Sequence, residues 1–179
     1  MRAFTYERAA DVSHSGADRP HTGQGQTDAE VQYLAGGTTL IDLMKLDVIR
    51  PERVVDINPL KARYGAIDAG PDGLHLGAMV RMAEAADHPE VLARYPVIAQ
   101  SLQLAASAQL RNMATLGGNV LQRTRCPYYR DPSWTACNKR SPGSGCAAIK
   151  ASICSRLKGV SYPSSLATDQ SSLPRAVSM

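Results

Sequence analysis

"VQYLAGGTTLIDLMKLDVIRPERVVDI", residues 31 to 57, is the stretch that decides the fold. VQYLA (31–35) reads as a strand that stops at Gly36-Gly37. TTLIDLMKLDV follows, with Leu40, Leu43, Met44 and Val48 at helical spacing and Thr38 placed to cap. Pro51 stops that helix, and RVVDI (53–57) is a second strand. Strand, helix and strand in so short a compass predict a βαβ unit with parallel strands.

Upstream, MRAFTYERAADV reads as a short strand feeding a helix, and residues 13–30 as a polar, Gly-containing loop. Downstream, GLHLGAMV (73–80) predicts another strand. Helical segments follow in MAEAADHPEVLARY, broken at Pro89, and in PVIAQSLQLAASA, where Pro96 suits a helix start. RNMATLGGNVLQR reads as a return to loop and strand. From about residue 149 the chain turns Ser-rich and loses any apolar period, which reads as a disordered tail.

A chain of 179 residues, 44% hydrophobic and 20% charged, has room for a real core. Aromatics make up only 5%, so that core must be Leu, Val, Ile, Ala and Met. A net charge of +4 fits an anionic ligand but is too mild and too scattered for a nucleic-acid surface. No apolar run approaches the roughly 18 residues of a membrane span, and the N-terminus lacks a signal-peptide core. The expected compartment is therefore the cytosol, where four cysteines suggest metal ligands rather than disulfides.

Three motifs carry chemistry. In LAGGTTLIDLMK (34–45) a Gly-Gly turn lets a ligand approach the backbone, and the helix start that follows suits a phosphate or pyrophosphate. Thr38 and Thr39 add hydroxyls; the plainer alternative is a tight turn with a Thr cap. NMATLGGNV (112–120) repeats the Gly-Gly theme, and two such loops suit a dinucleotide with two ends to hold. Its plainer alternative is a β-turn in which Asn119 tolerates an unusual backbone angle.

The third motif holds Cys126, Cys137 and Cys146, with Cys154 beyond, spaced C-x10-C-x8-C-x7-C. That spacing lacks the C-x2-C pair of a zinc finger and the compact runs of ferredoxins. Pro142, Gly143 and Gly145 would let the chain bend over a metal cluster. Arg125, Arg130, Lys139 and Arg140 would favour thiolates and offset a cluster's charge. Free cysteines in a polar loop are the alternative. His14, His21, His75 and His88 show no ligand spacing, and Asp42, Asp56 and Asp131 form no obvious carboxylate pair, so acid–base hydrolysis has little support.

YLAGGTTLIDLMKLDVIRPERVVDIN (33–58), LAASAQLRNMATLGGNVLQRTRCPYYRD (104–131) and CNKRSPGSGCAA (137–148) closely resemble the FAD-binding subunit of the molybdenum hydroxylases, the xanthine dehydrogenase family. The similarity is greatest to the bacterial periplasmic aldehyde oxidoreductase branch, whose flavin subunit also carries a [4Fe-4S] cluster. It runs from Met1 to about Ala148, except for residues 11–30.

The resemblance implies an α+β fold of two FAD-binding subdomains: a βαβ unit over 1–58 and a strand-rich unit, incomplete at its C-terminus, over 59–148. The cysteine-rich loop spans 122–148, and 149–179 falls outside the match. Leu34, Ala35, Gly36, Gly37, Thr38, Thr39, Leu40 and Ile41 would wrap the FAD pyrophosphate. Thr115, Gly117, Gly118 and Asn119 would hold the cofactor's other flank, with Ala106, Ser107 and Asp131 as further contacts. Cys126, Cys137 and Cys146 match three cluster ligands, and the fourth site would be either vacant or filled by Cys154, which lies earlier than the family's fourth cysteine.

The implied role is electron transfer within a heterotrimer. Electrons from a molybdenum-cofactor large subunit would pass [2Fe-2S] centres in a small subunit and reach FAD here, before an external acceptor. No nucleic acid or membrane partner is implied, and the periplasm would be reached by co-export with a partner subunit. Family members run to about twice this length, so the abrupt change after Ala148 suggests a shifted reading frame. Two other readings stand beside this one: a cysteine-loop zinc or interaction module, and a truncated product without function.

Overall fold

The computed structural model describes residues 1–11, 27, 29–123 and 125–150. Residues 13–26, Cys154 and everything else beyond Lys150 lie outside the described residues.

The βαβ expectation holds. Strand β2 (Val31–Leu34), helix α1 (Leu40–Lys45) and strand β3 (Arg53–Asp56) follow in that order, and β2 pairs parallel with β3 from Val31↔Arg53 to Leu34↔Asp56. A third strand, β1 (Thr5–Arg8), lies parallel on the other side of β3, from Thr5↔Arg53 to Arg8↔Asp56, so the strand order is β1-β3-β2. β3 is central, and its Val54, Val55 and Asp56 are buried. Val54 joins Leu43, Met44, Val48 and Ile49 in one apolar cluster. The apolar period of 40–48 is thus the face that α1 and the turn after it lay on the sheet.

Two local expectations differ. Among the described residues no helix follows β1 directly: the chain bends at Ala10 and Asp11, and the Ala9 N–H is already taken by the Asp56 carbonyl at 2.9 Å. Nor does Thr38 cap α1. The cap position is Thr39, in helical geometry and without a side-chain cap hydrogen bond.

Beyond β3 a short 3-10 turn (Asn58–Leu60) and α2 (Lys61–Tyr64) lead to an antiparallel hairpin, β4 (Ile67–Gly70) and β5 (Gly73–Leu76). Helices then follow in succession: α3 (Met82–Ala86), α4 (Pro89–Arg94), α5 (Pro96–Leu104), α6 (Ala108–Met113) and α7 (Leu116–Val120). Pro89 and Pro96 stand at helix starts, where a missing N–H costs nothing. Val80, Met82, Ala85, Ala86 and Leu102 form a second cluster, flanked by Ile67, Leu76, Ala114 and Leu116.

The architecture is α+β, but among the described residues the part after Asn58 is a single hairpin with helices rather than strand-rich. RNMATLGGNVLQR holds helix where strand was expected: Gly117 and Gly118 lie inside α7, and Asn119 has no left-handed backbone. Helices α5 and α7 leave Val97, Leu104 and Val120 facing outward, each more than three-quarters exposed, and Leu121 just after α7 is equally so. Among the described residues the last helices are α8 (Pro127–Arg130), inside the cysteine-rich loop, and α9 (Ala147–Lys150) at its end.

Candidate functional site

The first Gly-Gly turn sits where β2 leaves the sheet, beside the carboxyl end of β3. In open parallel sheets this is the edge where ligands bind. Gly37 is left-handed at φ +73°, and a Cβ there would lie 2.9 Å from both Ile41 Cδ1 and Leu34 Cδ1. Gly36 is needed for a different reason: a Cβ would overlap the carbonyl of Met113 and lie 2.9 Å from Ala114 Cα. The turn is therefore pressed against the loop between α6 and α7.

Between them lies an open pocket of about 280 Å³ lined by Gly36, Gly37, Thr38, Ile41, Asp42, Lys45 and Met113. Four of these were expected from sequence. Lys45 was not, although its signal was readable: four residues after Ile41, it falls on the same helix face. Asp42 is paired with Arg130 of α8 at 2.7 Å, which leaves the Lys45 ammonium as the cation at this mouth. Leu34 and Leu40 turn their side chains into the first core cluster, so only their backbones remain for a ligand. The Ala35 carbonyl accepts from Asn58 Nδ2 at 2.8 Å.

The second Gly-Gly motif lies close by but outside this pocket. Thr115, fully buried, caps α7 by accepting the Gly118 N–H at 3.1 Å. Thr115 is paired with Arg81, and the Leu116 and Gly117 N–H groups donate to Val80 and Ala78 carbonyls, each at 2.9 Å. A Cβ on Gly117 would meet Ala78 O at 3.0 Å. Asn119 Oδ1 accepts from Gln122 Nε2 at 3.1 Å. Further along, Ala106 adopts a left-handed φ of +52°, unusual for a residue with a Cβ. Arg111 donates to its carbonyl at 3.0 Å, and the Ser107 hydroxyl caps α6 by accepting the Leu110 N–H.

A polar relay joins the two glycine loops. Asp56, buried at the end of β3, accepts from the Tyr6 hydroxyl at 2.7 Å and from the Asn58 backbone and side chain at 2.9 and 2.6 Å. Asn58 Oδ1 accepts from Arg81 at 2.7 Å, and Arg81 also donates to the Met113 carbonyl. Burial pushes the Asp56 carboxyl up, but the Tyr6 and Asn58 hydrogen bonds and the Arg8 charge together hold it below the usual carboxylate range. Asn58 and Arg81 were missed from sequence because the partners that tie them to the two loops lie 23 residues or more away along the chain.

The cysteine loop is anchored more firmly than its composition suggests. Tyr129 is fully buried in the first core cluster beside Leu43 and Met44, with Cys137 in the same cluster and Cys126 packed against it. Arg140 does not face the thiols: its guanidinium gathers the carbonyls of Tyr128, Tyr129 and Asp131 at 3.0, 3.1 and 2.7 Å, and that of Trp134. Arg130 is likewise committed to Asp42, so two of the four cations expected to support thiolates are engaged elsewhere.

Asp131 is exposed and accepts the Ser133 N–H at 3.0 Å, a contact that lowers its carboxyl pKa. Gly143 and Gly145 take left-handed φ of +85° and +91°, the tight bends foreseen for them. The three described cysteines are unbridged, and among the described residues no group of three or more His, Cys, Asp or Glu side chains could hold a metal ion. Cys126, Cys137 and Cys146, the ligands expected from the resemblance, lie in one loop without forming such a group, and Cys154 lies outside the described residues.

Comparison with known proteins identifies the family. The chain is 44% identical over 151 residues to the aldehyde oxidoreductase FAD-binding subunit PaoB of Escherichia coli (strain K12), covering 84% of this chain and 45% of that protein. It is 35% identical over 96 residues to the carbon monoxide dehydrogenase medium chain of Hydrogenophaga pseudoflava, covering 54% of this chain and 33% of the relative. Among solved structures, carbon monoxide dehydrogenase from the same organism, lacking the Mo-pyranopterin moiety, superimposes with a TM-score of 0.57 at 31% identity. That match covers 66% of this chain and 39% of the other. The chain therefore spans less than half the length of these relatives. The family model of the FAD binding domain in molybdopterin dehydrogenase matches residues 4–156, which take in both glycine loops and all four cysteines, and the chain belongs to that family.

Proposed function

We propose that this chain holds FAD with its diphosphate at the Gly36–Thr38 turn and serves as the flavin-bearing, electron-transfer subunit of a molybdenum-dependent oxidoreductase of the aldehyde or xanthine type. The observation that carries the reading is the pocket itself. A left-handed Gly37 leaves the backbone bare, Thr39 makes no cap hydrogen bond, and Lys45 offers a positive charge to an anionic group at the mouth. Thr115, Gly117, Gly118 and Asn119, with Ala106, Ser107 and Asp131, are assigned in the same proposal to the remainder of the cofactor. Thr115 and Ser107 would act by shaping helix starts rather than by direct contact, since their hydroxyls are already used.

When bound, FAD supplies the ability to take up and release electrons singly or in pairs. The chain's own part is to exclude the wrong geometry. Asn58 and Arg81 hold the two glycine loops at a fixed separation, and the Arg130–Asp42 pair offsets the carboxylate that would otherwise repel a diphosphate. The proposed division runs at residue 58, a βαβ unit before it and a second unit after it. The proposed assembly is a heterotrimer with a molybdenum-cofactor large subunit and a [2Fe-2S] small subunit, matching the subunit and medium-chain names of the relatives. Among the described residues no helix is long and apolar enough to cross a membrane. The compartment proposed is the cytosol, or the periplasm by co-export with a partner.

A [4Fe-4S] cluster on Cys126, Cys137 and Cys146 is the finer reading. Their common loop supports it, although among the described residues no group of three or more His, Cys, Asp or Glu side chains is placed to hold a metal ion. A zinc module meets the same obstacle.

Flavin titration of the full chain tests the main reading. Fluorescence quenching of FAD should be lost in Gly37→Val and weakened about tenfold or more in Lys45→Ala. Equal affinity in wild type and both variants would overturn the assignment of this pocket.

A further inference from the structure

Cys137 and Cys146 face each other across a single antiparallel bridge. The hydrogen bonds on either side are Asn138 N–H to Gly145 O at 2.7 Å and Ala147 N–H to Ala136 O at 2.8 Å. Because those bonds flank the pair rather than join it, this is the non-hydrogen-bonded kind of antiparallel pair. In that kind the Cα atoms approach to about 4.5 Å and the side chains come nearest. A disulfide needs Cα atoms about 4.4 to 6.8 Å apart, so the backbone already satisfies the main geometric demand.

The intervening turn is fixed without any S–S bond. Ser144 Oγ accepts the Cys137 N–H at 3.0 Å, Asn138 Oδ1 accepts the Gly145 N–H at 2.8 Å, and the Cys137 carbonyl accepts from Arg140 and Ser141 at 3.0 and 2.8 Å. Cys126 sits elsewhere, at the start of α8, and has no such opposed partner among the described residues.

We propose that Cys137 and Cys146 are a redox-active pair that closes to a cross-strand disulfide. The oxidant is a small external disulfide of the glutathione class. The half-buried Cys146 thiolate attacks one of its sulfurs, forming a mixed disulfide and releasing the first thiolate. The buried Cys137 then attacks the Cys146 sulfur, which forms the protein S–S bond, breaks the mixed one and releases the second thiolate. Together the cysteines lose two electrons and two protons; the reagent gains both electrons and leaves as two thiols. Closure removes both sulfurs from the reach of any metal, so the pair's redox state governs whether this loop can bind one.

The test is independent of flavin. The full chain is equilibrated with oxidised and reduced glutathione at several ratios, alkylated under non-reducing conditions, digested and mapped by mass spectrometry. The expected product is one cross-linked peptide pair joining Cys137 to Cys146, with Cys126 alkylated. It should be absent from Cys137→Ser and Cys146→Ser and unchanged in Cys126→Ser. A dominant cross-link involving Cys126 or Cys154, or glutathione retained on Cys146 while Cys137 remains alkylatable, overturns the proposal. The wild-type map alone decides it if a serine variant fails to fold. Loss of FAD binding with the cross-link intact would count against the pocket and leave the thiol pair standing.

Discussion

The same dipeptide occurs twice, as Gly36-Gly37 and Gly117-Gly118, and the two copies do different work. In the first, Gly36 admits the backbone of a neighbouring loop and Gly37 supplies a left-handed turn that a side chain resists. In the second, both glycines are helical; Gly117 lets Ala78 approach, and Gly118 only gives its N–H to the Thr115 cap. The first pair opens onto the pocket, and the second packs behind the wall that closes it. A glycine motif therefore reports a close approach, and only the structure says whether a ligand or the protein's own chain is approaching.

Gly36→Ala should break the comparison most severely. Its methyl has no space against Met113, and overpacking against rigid backbone costs about 1–3 kcal/mol or more. Chemical denaturation should show a clear fall in midpoint, and flavin binding should fall with it.

Gly37→Val should separate the two roles. Far-UV dichroism should stay close to wild type while FAD affinity drops at least tenfold. The left-handed backbone disfavours a branched residue by about 1–2 kcal/mol, and the side chain enters the turn beside the pocket.

Acid should distinguish the two loops without mutation. Asp56, reaching the first loop through Asn58, has a folded-state pKa below its unfolded one. Its contribution is thus complete above the unfolded carboxylate value near 3.9 and is lost as pH falls from there through the lower folded-state value. The second loop leans on the Thr115 hydroxyl, which does not titrate there. Wild type should lose stability more steeply than Asp56→Asn as pH falls below about 4, measured as denaturation midpoint against pH.

Gly118→Ala should have the smallest effect. Alanine gains about 1 kcal/mol over glycine in a helix, offset by a Cβ placed 2.9 Å from Thr115 Oγ1. A midpoint within about 1 kcal/mol of wild type is expected, and a large loss of FAD affinity would show that the second pair touches ligand after all.

The parallel unit was legible because local signals agreed with the packing. Val54 and Val55 sit in a buried central strand, and Leu43, Met44 and Val48 turn inward as their spacing requires. What the sequence concealed was long-range. Two adjacent glycines disfavour a helix, yet α7 forms because Val80 and Ala78 hold its first N–H groups. Strand β4 was invisible, its four residues IDAG carrying little strand preference until β5 pairs with them. At the site, the turn at Gly36–Thr38 could be read directly, and Lys45 by helix spacing. The Asn58–Arg81 relay could not, since no periodicity announces it. The cysteine loop misled by its polarity: Tyr129 and Cys137 bury in the first core cluster, and Arg140 is spent on carbonyls.

The strand order β1-β3-β2 sets a timetable. Strands β2 and β3 with α1 between them can close a compact unit early, whereas β1 has no neighbour until β3 exists; Tyr6 and Asp56, which hydrogen-bond across that pairing, are 50 residues apart. Closing so long a loop is entropically slow to be rewarded, so β1 is seated after β2 although it precedes β2 in the chain. During translation Thr5–Arg8 must wait for the ribosome to deliver Arg53–Asp56, and slowing synthesis between residues 10 and 50 should lengthen the interval in which that segment is open to proteases.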